Sequence, residues 1–211
     1  MSEEKQVKSE VPAQVDLFSR GLSFLSTNEK YLCVDLETTG LDPEESEIIE
    51  MYWCLASYDG EKLSEIESDH KLYFSEDSEK TECLHKIPAS ELAGLSKFED
   101  ADNERFIELL KDSMKENSNV SMMAQYAVFE MSFFEKYIPG IKFNKASNIY
   151  DTREAGRVLY PNEPHNSGAM AERYGIQPTG QWHRAESDVK VMMGIAVNQM
   201  NELADRTYDS I

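Results

Sequence analysis

The sequence predicts one mixed α/β domain, on three observations. An early block of apolar, β-branched and aromatic residues is broken by a hairpin signal, and the later segments carry apolar residues at helical spacing. The chain of 211 residues, 40% of them hydrophobic, is also long enough for one substantial core. In order, Tyr31–Leu36 reads as the first strand and Ile48–Tyr58 as the second. Asp59-Gly60 then turns the chain into a third strand running through Phe74, which makes the first three strands antiparallel. Residues 103–114 read as a helix that buries Phe106, Ile107, Leu109 and Leu110, and Val120–Ala124 as a short buried strand. Residues 129–137 form a helix closed by Pro139-Gly140, which places Glu130 at a strand-to-helix junction. Residues 151–159 and 168–174 read as shorter helices. A long helix follows, in which Val189, Met192, Met193 and Ala196 recur on one face.

Composition narrows the classes of function. No run of eighteen apolar residues is present, and the start, Met1-Ser2-Glu3-Glu4-Lys5, lacks the pattern of a secretory signal. A soluble, cytoplasmic protein with no membrane partner is expected. Cys33, Cys54 and Cys83 lack metal-type spacing and read as buried, reduced small hydrophobes. The net charge of −19 disfavours long-range attraction to a phosphate backbone. Acidic runs at 44–47, 65–69 and 76–79 read as solvated loops.

One segment resists a structural explanation. Val34-Asp35-Leu36-Glu37-Thr38-Thr39-Gly40 ends an apolar strand with two acids at alternate positions. Side chains two apart lie on one face of a strand, so Asp35 and Glu37 crowd two negative charges together unless a cation neutralises them. Hard oxygen ligands select Mg²⁺ or Mn²⁺, and a pair of such ions about 3.5–4 Å apart suits in-line attack on a phosphodiester. Far downstream, His183 falls at or just before the start of the long helix and Asp188 on its second turn, so both can point into one cleft. Asp188 supplies a third carboxylate, and imidazole is the side chain suited to taking a proton from water at neutral pH.

These residues resemble the DEDDh-type 3′-to-5′ exonucleases, the family that includes the proofreading subunit of bacterial DNA polymerase III, oligoribonuclease and ribonuclease T. The first motif matches at Asp35, Glu37, Thr38, Gly40 and Leu41, and the third at His183, Ala185 and Asp188. Ile149–Thr152 and Ala171–Ile176 resemble the family's connecting segments, so the likeness covers roughly residues 30 to 200. It implies a ribonuclease H-like mixed five-stranded sheet flanked by helices, with two ions of Mg²⁺ or Mn²⁺ held by Asp35, Glu37, Glu130 and Asp188 and a catalytic His183. It implies also that Thr38 and Leu41 bind the terminal nucleotide, and it places His85 in a loop near the substrate.

The second motif departs from the family pattern. Where relatives commonly read Ala-His-Asn-Ala-any-Phe-Asp, this chain reads Ala124-Gln125-Tyr126-Ala127-Val128-Phe129-Glu130. Charge is kept, while the added methylene moves the carboxylate by about 1.5 Å. The expectation is an active enzyme, slowed or Mn²⁺-favouring. Its partner would be nucleic acid, single-stranded DNA 3′ ends before RNA. A weakened, exonuclease-like docking module of a replication complex is the other reading of the altered motif.

An N-terminal extension, 1–29, precedes the expected exonuclease domain, 30–203, and a tail, 204–211. Within it, Gln14-Val15-Asp16-Leu17-Phe18 resembles the short peptide with which bacterial replication proteins bind the sliding clamp. Leu17 and Phe18 would fill an apolar groove and Gln14 would fix the orientation. Val15, Phe18, Leu22 and Leu25 also fit one face of an amphipathic helix that packs onto the domain. Clamp attachment would raise the effective concentration at DNA without a basic surface.

Overall fold

The computed structural model describes residues 24–208, so the clamp-like peptide with Gln14, Leu17 and Phe18 lies outside the described residues. The strands β1 (Lys30–Thr38), β2 (Ile48–Tyr58) and β3 (Leu63–Leu72) form an antiparallel meander. Then come α1 (Ser78–His85), α2 (Ala89–Leu92), a 3₁₀ turn (Phe98–Asp100), α3 (Glu104–Ser113) and β4 (Val120–Ala124). After them follow α4 (Ala127–Tyr137), β5 (Ile149–Asp151), α5 (Thr152–Leu159), α6 (Ser167–Tyr174) and α7 (Ala185–Tyr208). β4 pairs parallel with β1, and β5 parallel with β4, giving the order β3-β2-β1-β4-β5. Leu25 extends the far edge through an antiparallel bridge to Tyr150. This is the mixed five-stranded sheet flanked by helices that the motifs implied.

Strand alternation divides the core and aims the site. Leu32, Val34 and Leu36 of β1 join Trp53 and Met122 beneath α3 and α4, where Phe106, Phe133 and Phe134 complete one cluster. Tyr31 and Cys33 face the other way and join Tyr52, Cys54 and Met123 under Val189, Met192 and Ala196 of α7. Asp35 and Glu37 continue that second series. The first-motif acids are therefore directed toward the helix that carries Asp188.

Several elements differ from the sequence reading, each for a local reason. Residues 149–151 form a strand, too short for periodicity to reveal. α1 was not expected because Cys83 and Leu84 are adjacent and are its only apolar residues, so it carries no apolar stripe at helical spacing. Ile107 is only half-buried, beside the buried Phe106, Leu109 and Leu110. Cys33 and Cys54 are buried opposite each other, whereas Cys83 is exposed on α1, contrary to expectation. The acidic run at 65–69 belongs to edge strand β3 rather than a loop, where charge discourages further strand pairing. Among the described residues, no helix is long and apolar enough to cross a membrane.

Asp151 ties this framework together at the site. Fully buried at the end of β5, it accepts Arg153 N–H (2.8 Å) and Glu154 N–H (3.1 Å) through Oδ1. Its Oδ2 accepts Ala127 N–H at 2.9 Å. One carboxylate thus caps α5 and fixes the first residue of α4. Asp151→Ala should lose about 2–4 kcal/mol in urea denaturation, since it removes a cap and strands a further buried N–H.

Candidate active site

The acids reach one cleft of about 830 Å³ from three parts of the chain. Asp35 and Glu37 come from the end of β1, where the pairing register with β2 shifts between Glu37 and Thr38. The Thr-Thr-Gly turn that follows is tight: Thr38 Oγ1 donates to Gly40 O at 2.6 Å. A Cβ on Gly40 would stand 2.5 Å from Ser46 Oγ, so a larger residue there requires the Ser46 hydroxyl to turn away. Glu130 comes from the first turn of α4 and is buried. Asp188 lies in the first turn of α7, not the second, because that helix begins only at Ala185.

His183 is exposed at the cleft and has a left-handed backbone, φ 64°. That conformation is uncommon for a non-glycine residue, although histidine adopts it more readily than most. Here Asp188 Oδ2 accepts His183 N–H at 3.1 Å. One ligand atom from each of Glu37, His183 and Asp188 lies within 4.8 Å of the other two.

Crowding governs the electrostatics. Burial, then Glu37, Glu130, Asp188 and Glu50, push the Asp35 carboxyl well above the usual range. Glu37 is pushed up to about 8 by burial and then by Glu50 and Asp188, with Arg184 opposing. Glu130 also rises to about 8, through burial and the nearby Asp151 and Glu37. Burial takes Asp188 to about 6, with the His183 N–H holding it down in part. Glu130 Oε2 and Asp188 Oδ1 are buried and accept no hydrogen bond. Hard oxygen donors, two of them orphaned, fit a divalent cation such as Mg²⁺ or Mn²⁺, whose charge would reverse every one of these shifts.

A fifth carboxylate is handled differently. Glu50 stands directly opposite Glu37 in the β1–β2 register and is fully buried. Its Oε1 contacts His70 Nε2 (2.7 Å) and accepts from Arg184 Nε (3.1 Å), while Oε2 accepts Ala185 N–H at 3.2 Å. Burial raises Glu50, yet these three donors more than offset it, and its pKa is lowered. Glu50 thereby fixes the residues immediately after His183, as Asp188 fixes His183 itself. Neither Glu50 nor His70 stands out in the sequence. The available signal was that Glu50 is the one charged residue in Ile48–Tyr58.

The remaining site residues divide. Thr38 and Leu41 line the cleft, with Leu41 67% exposed on its rim. His85 does not reach it: the ring is fully buried, with Nδ1 accepting Ile87 N–H (3.0 Å) and Nε2 against Ser78 O (3.2 Å). The expected substrate contact at His85 is therefore corrected to a structural role, because His85 is the last residue of α1 rather than part of a loop and its ring turns inward against Ser78 and Ile87. The next residue, Lys86, lines the cleft instead, held in a left-handed cap of α1. Gln125 serves the fold, donating to His165 O (2.9 Å) and accepting from Thr152 Oγ1 (2.6 Å). Asn166 caps α6 through Ala169 N–H at 2.9 Å.

The family model described as exonuclease, of the RNase T type, matches residues 32–196. DNA polymerase III of the PolC type from Bacillus subtilis is 25% identical over 187 residues, 86% of this chain and 12% of that protein. The corresponding Staphylococcus haemolyticus polymerase is 27% identical over 189 residues, again 86% and 12%. The chain thus spans about an eighth of the length of these relatives. Among solved structures, the nuclease domain of 3′hExo bound to rAMP aligns with a TM-score of 0.63 and 18% identity, covering 84% of this chain and 94% of that one. Exonuclease X in complex with 5′ overhanging duplex DNA aligns with a TM-score of 0.58 and 18% identity, covering 82% and 91%. At these identities the structures speak to the fold.

The Glu50–His70 pair makes a testable pH signature. Its hydrogen bond to Glu50 raises His70 above its ordinary 6.5, against burial, which lowers it. The charged-pair contribution to stability is therefore complete below about pH 6.5 and fades as pH rises through the raised value. His70→Asn should lower the melting temperature most near pH 6 and progressively less toward pH 9. A gap of constant size across that range would contradict the pairing.

Proposed function

The chain belongs to the DEDDh-type exonuclease family, and we propose that its cleft removes nucleotides from the 3′ ends of single-stranded or frayed DNA by phosphodiester hydrolysis. The observation that supports this most is the convergence of Asp35, Glu37, Glu130 and Asp188 on one cleft whose rim carries His183. Two Mg²⁺ or Mn²⁺ ions, when bound, would neutralise these acids, polarise the phosphate and stabilise the leaving 3′ oxygen. Asp35, Glu37, Glu130 and Asp188 would hold them.

The other roles belong to the chain itself. His183, exposed and held by the Asp188 and Glu50 contacts, takes the proton of the attacking water as its oxygen bonds to phosphorus; the P–O3′ bond breaks, the 3′ oxygen takes a proton from solvent, and His183 releases its own to solvent. Leu41 packs its exposed side chain against the terminal base, and the Thr38 backbone holds the sugar. The relatives at 25–27% identity are DNA polymerases, which favours DNA over RNA as the substrate. Gln14, Leu17 and Phe18 attach the protein to a sliding clamp in the cytoplasm, which supplies the proximity to DNA that a charge of −19 withholds.

Incubation with 5′-labelled single-stranded DNA or RNA and Mg²⁺ or Mn²⁺ tests the reading. A ladder shortening from the 3′ end is expected, faster on DNA, with Asp35→Ala and His183→Ala reduced by about 100-fold or more. No ladder with either polymer overturns it, and faster cleavage of RNA turns it into an RNA-trimming activity. Glu130→Asp should be about tenfold slower than the parent, because the site is built around the longer side chain.

A further inference from the structure

We propose that Tyr126 and Arg153 form a second nucleotide subsite, which takes the base and phosphate immediately 5′ of the terminal nucleotide. The proposal rests on the exonuclease reading above and deepens it. A second hollow of about 460 Å³ adjoins the main cleft, and Gln125, Tyr126, Asn166 and Ser167 line both. Among the described residues, no carboxylate lines this hollow, although the chain holds 40 acidic residues against 21 basic ones. It is the neutral-to-positive end of a groove whose other end is strongly negative.

Arg153 stands apart from the other arginines. Among the described residues, Arg105, Arg157, Arg173 and Arg184 are ion-paired with Glu67, Glu154, Glu163 and Glu50, and Arg206 donates to Leu159 O. The Arg153 guanidinium makes no such pair and lies 4.3 Å from the centre of the Tyr126 ring. Its backbone is fixed by the Asp151 cap, and Tyr126 directly precedes the helix carrying Glu130. The hollow therefore holds a cation and an aromatic face at a fixed offset from the acid cluster. That is the combination a single strand needs: stacking for the base and a guanidinium for the phosphate.

The geometry also assigns polarity. With the terminal nucleotide at Leu41 and Thr38 and the scissile phosphate at the acids, the strand leaves past Tyr126. Arg153 then meets the next phosphate upstream. Because stacking and phosphate contact are indifferent to sequence, the subsite favours length over base identity.

Two substrates separate the subsites. Thymidine 5′-(p-nitrophenyl phosphate) fills only the terminal one, whereas a 5′-labelled single-stranded oligonucleotide fills both. Arg153→Met, which keeps the aliphatic stem over Tyr126, should lower kcat/KM on the oligonucleotide about tenfold relative to the ester. It should also reduce the salt dependence of oligonucleotide binding by about one in logarithmic slope. An equal fall on both substrates, or none on either, overturns the subsite while leaving the exonuclease reading intact. No hydrolysis of either substrate by the parent overturns that reading and the subsite with it.

Discussion

Repulsion among carboxylates at one end of the sheet is the constraint on which the site depends. Asp35, Glu37, Glu130, Asp188 and Glu50 sense one another across a partly buried space, and burial makes each negative charge costlier than it would be in water. The protein relieves two neighbouring acids internally. Glu50 is matched by Arg184, His70 and a helix N–H, and Asp151 by three backbone N–H groups. The acids of the cleft receive no comparable compensation. Two of their oxygens accept no hydrogen bond at all, so the fold leaves them for a cation.

The same constraint shapes the backbone around His183. Its left-handed conformation is maintained by an acid on each side, Asp188 through its own N–H and Glu50 through Arg184 and Ala185. Asp188 thereby serves twice, as a member of the acid cluster and as the anchor of the turn. Glu50 couples β2 to the start of α7, joining strand register to the placement of a side chain 133 positions further on. The sheet and the long helix are thus positioned against each other through charge as well as through Tyr52, Cys54 and Val189.

How much of this was legible depended on whether the signal was local. Asp35 and Glu37 were readable because alternation within one strand is a local property, and β1 and β2 because their apolar runs are long. Glu50 was not, since its meaning comes from standing opposite Glu37 and from Arg184 far downstream. His85 misled because family position does not report which way a ring turns. The second-turn placement of Asp188 failed by one feature, the left-handed turn at His183, which delays the helix to Ala185. β5 escaped notice because three residues carry no period.

A strongly acidic nuclease faces an evident difficulty with an acidic polymer, and the groove answers it by position rather than by net charge. Its acid-lined end is negative and suited to cations, while at its other end no carboxylate stands among the described residues and Arg153 is present. The central claim is that the clustered acids form a divalent-cation site. Mn²⁺ binding near neutral pH, counted by electron paramagnetic resonance, tests it most directly. About two tightly held ions per chain are predicted, with fewer in Glu37→Gln. An absence of saturable binding into the millimolar range would contradict the account.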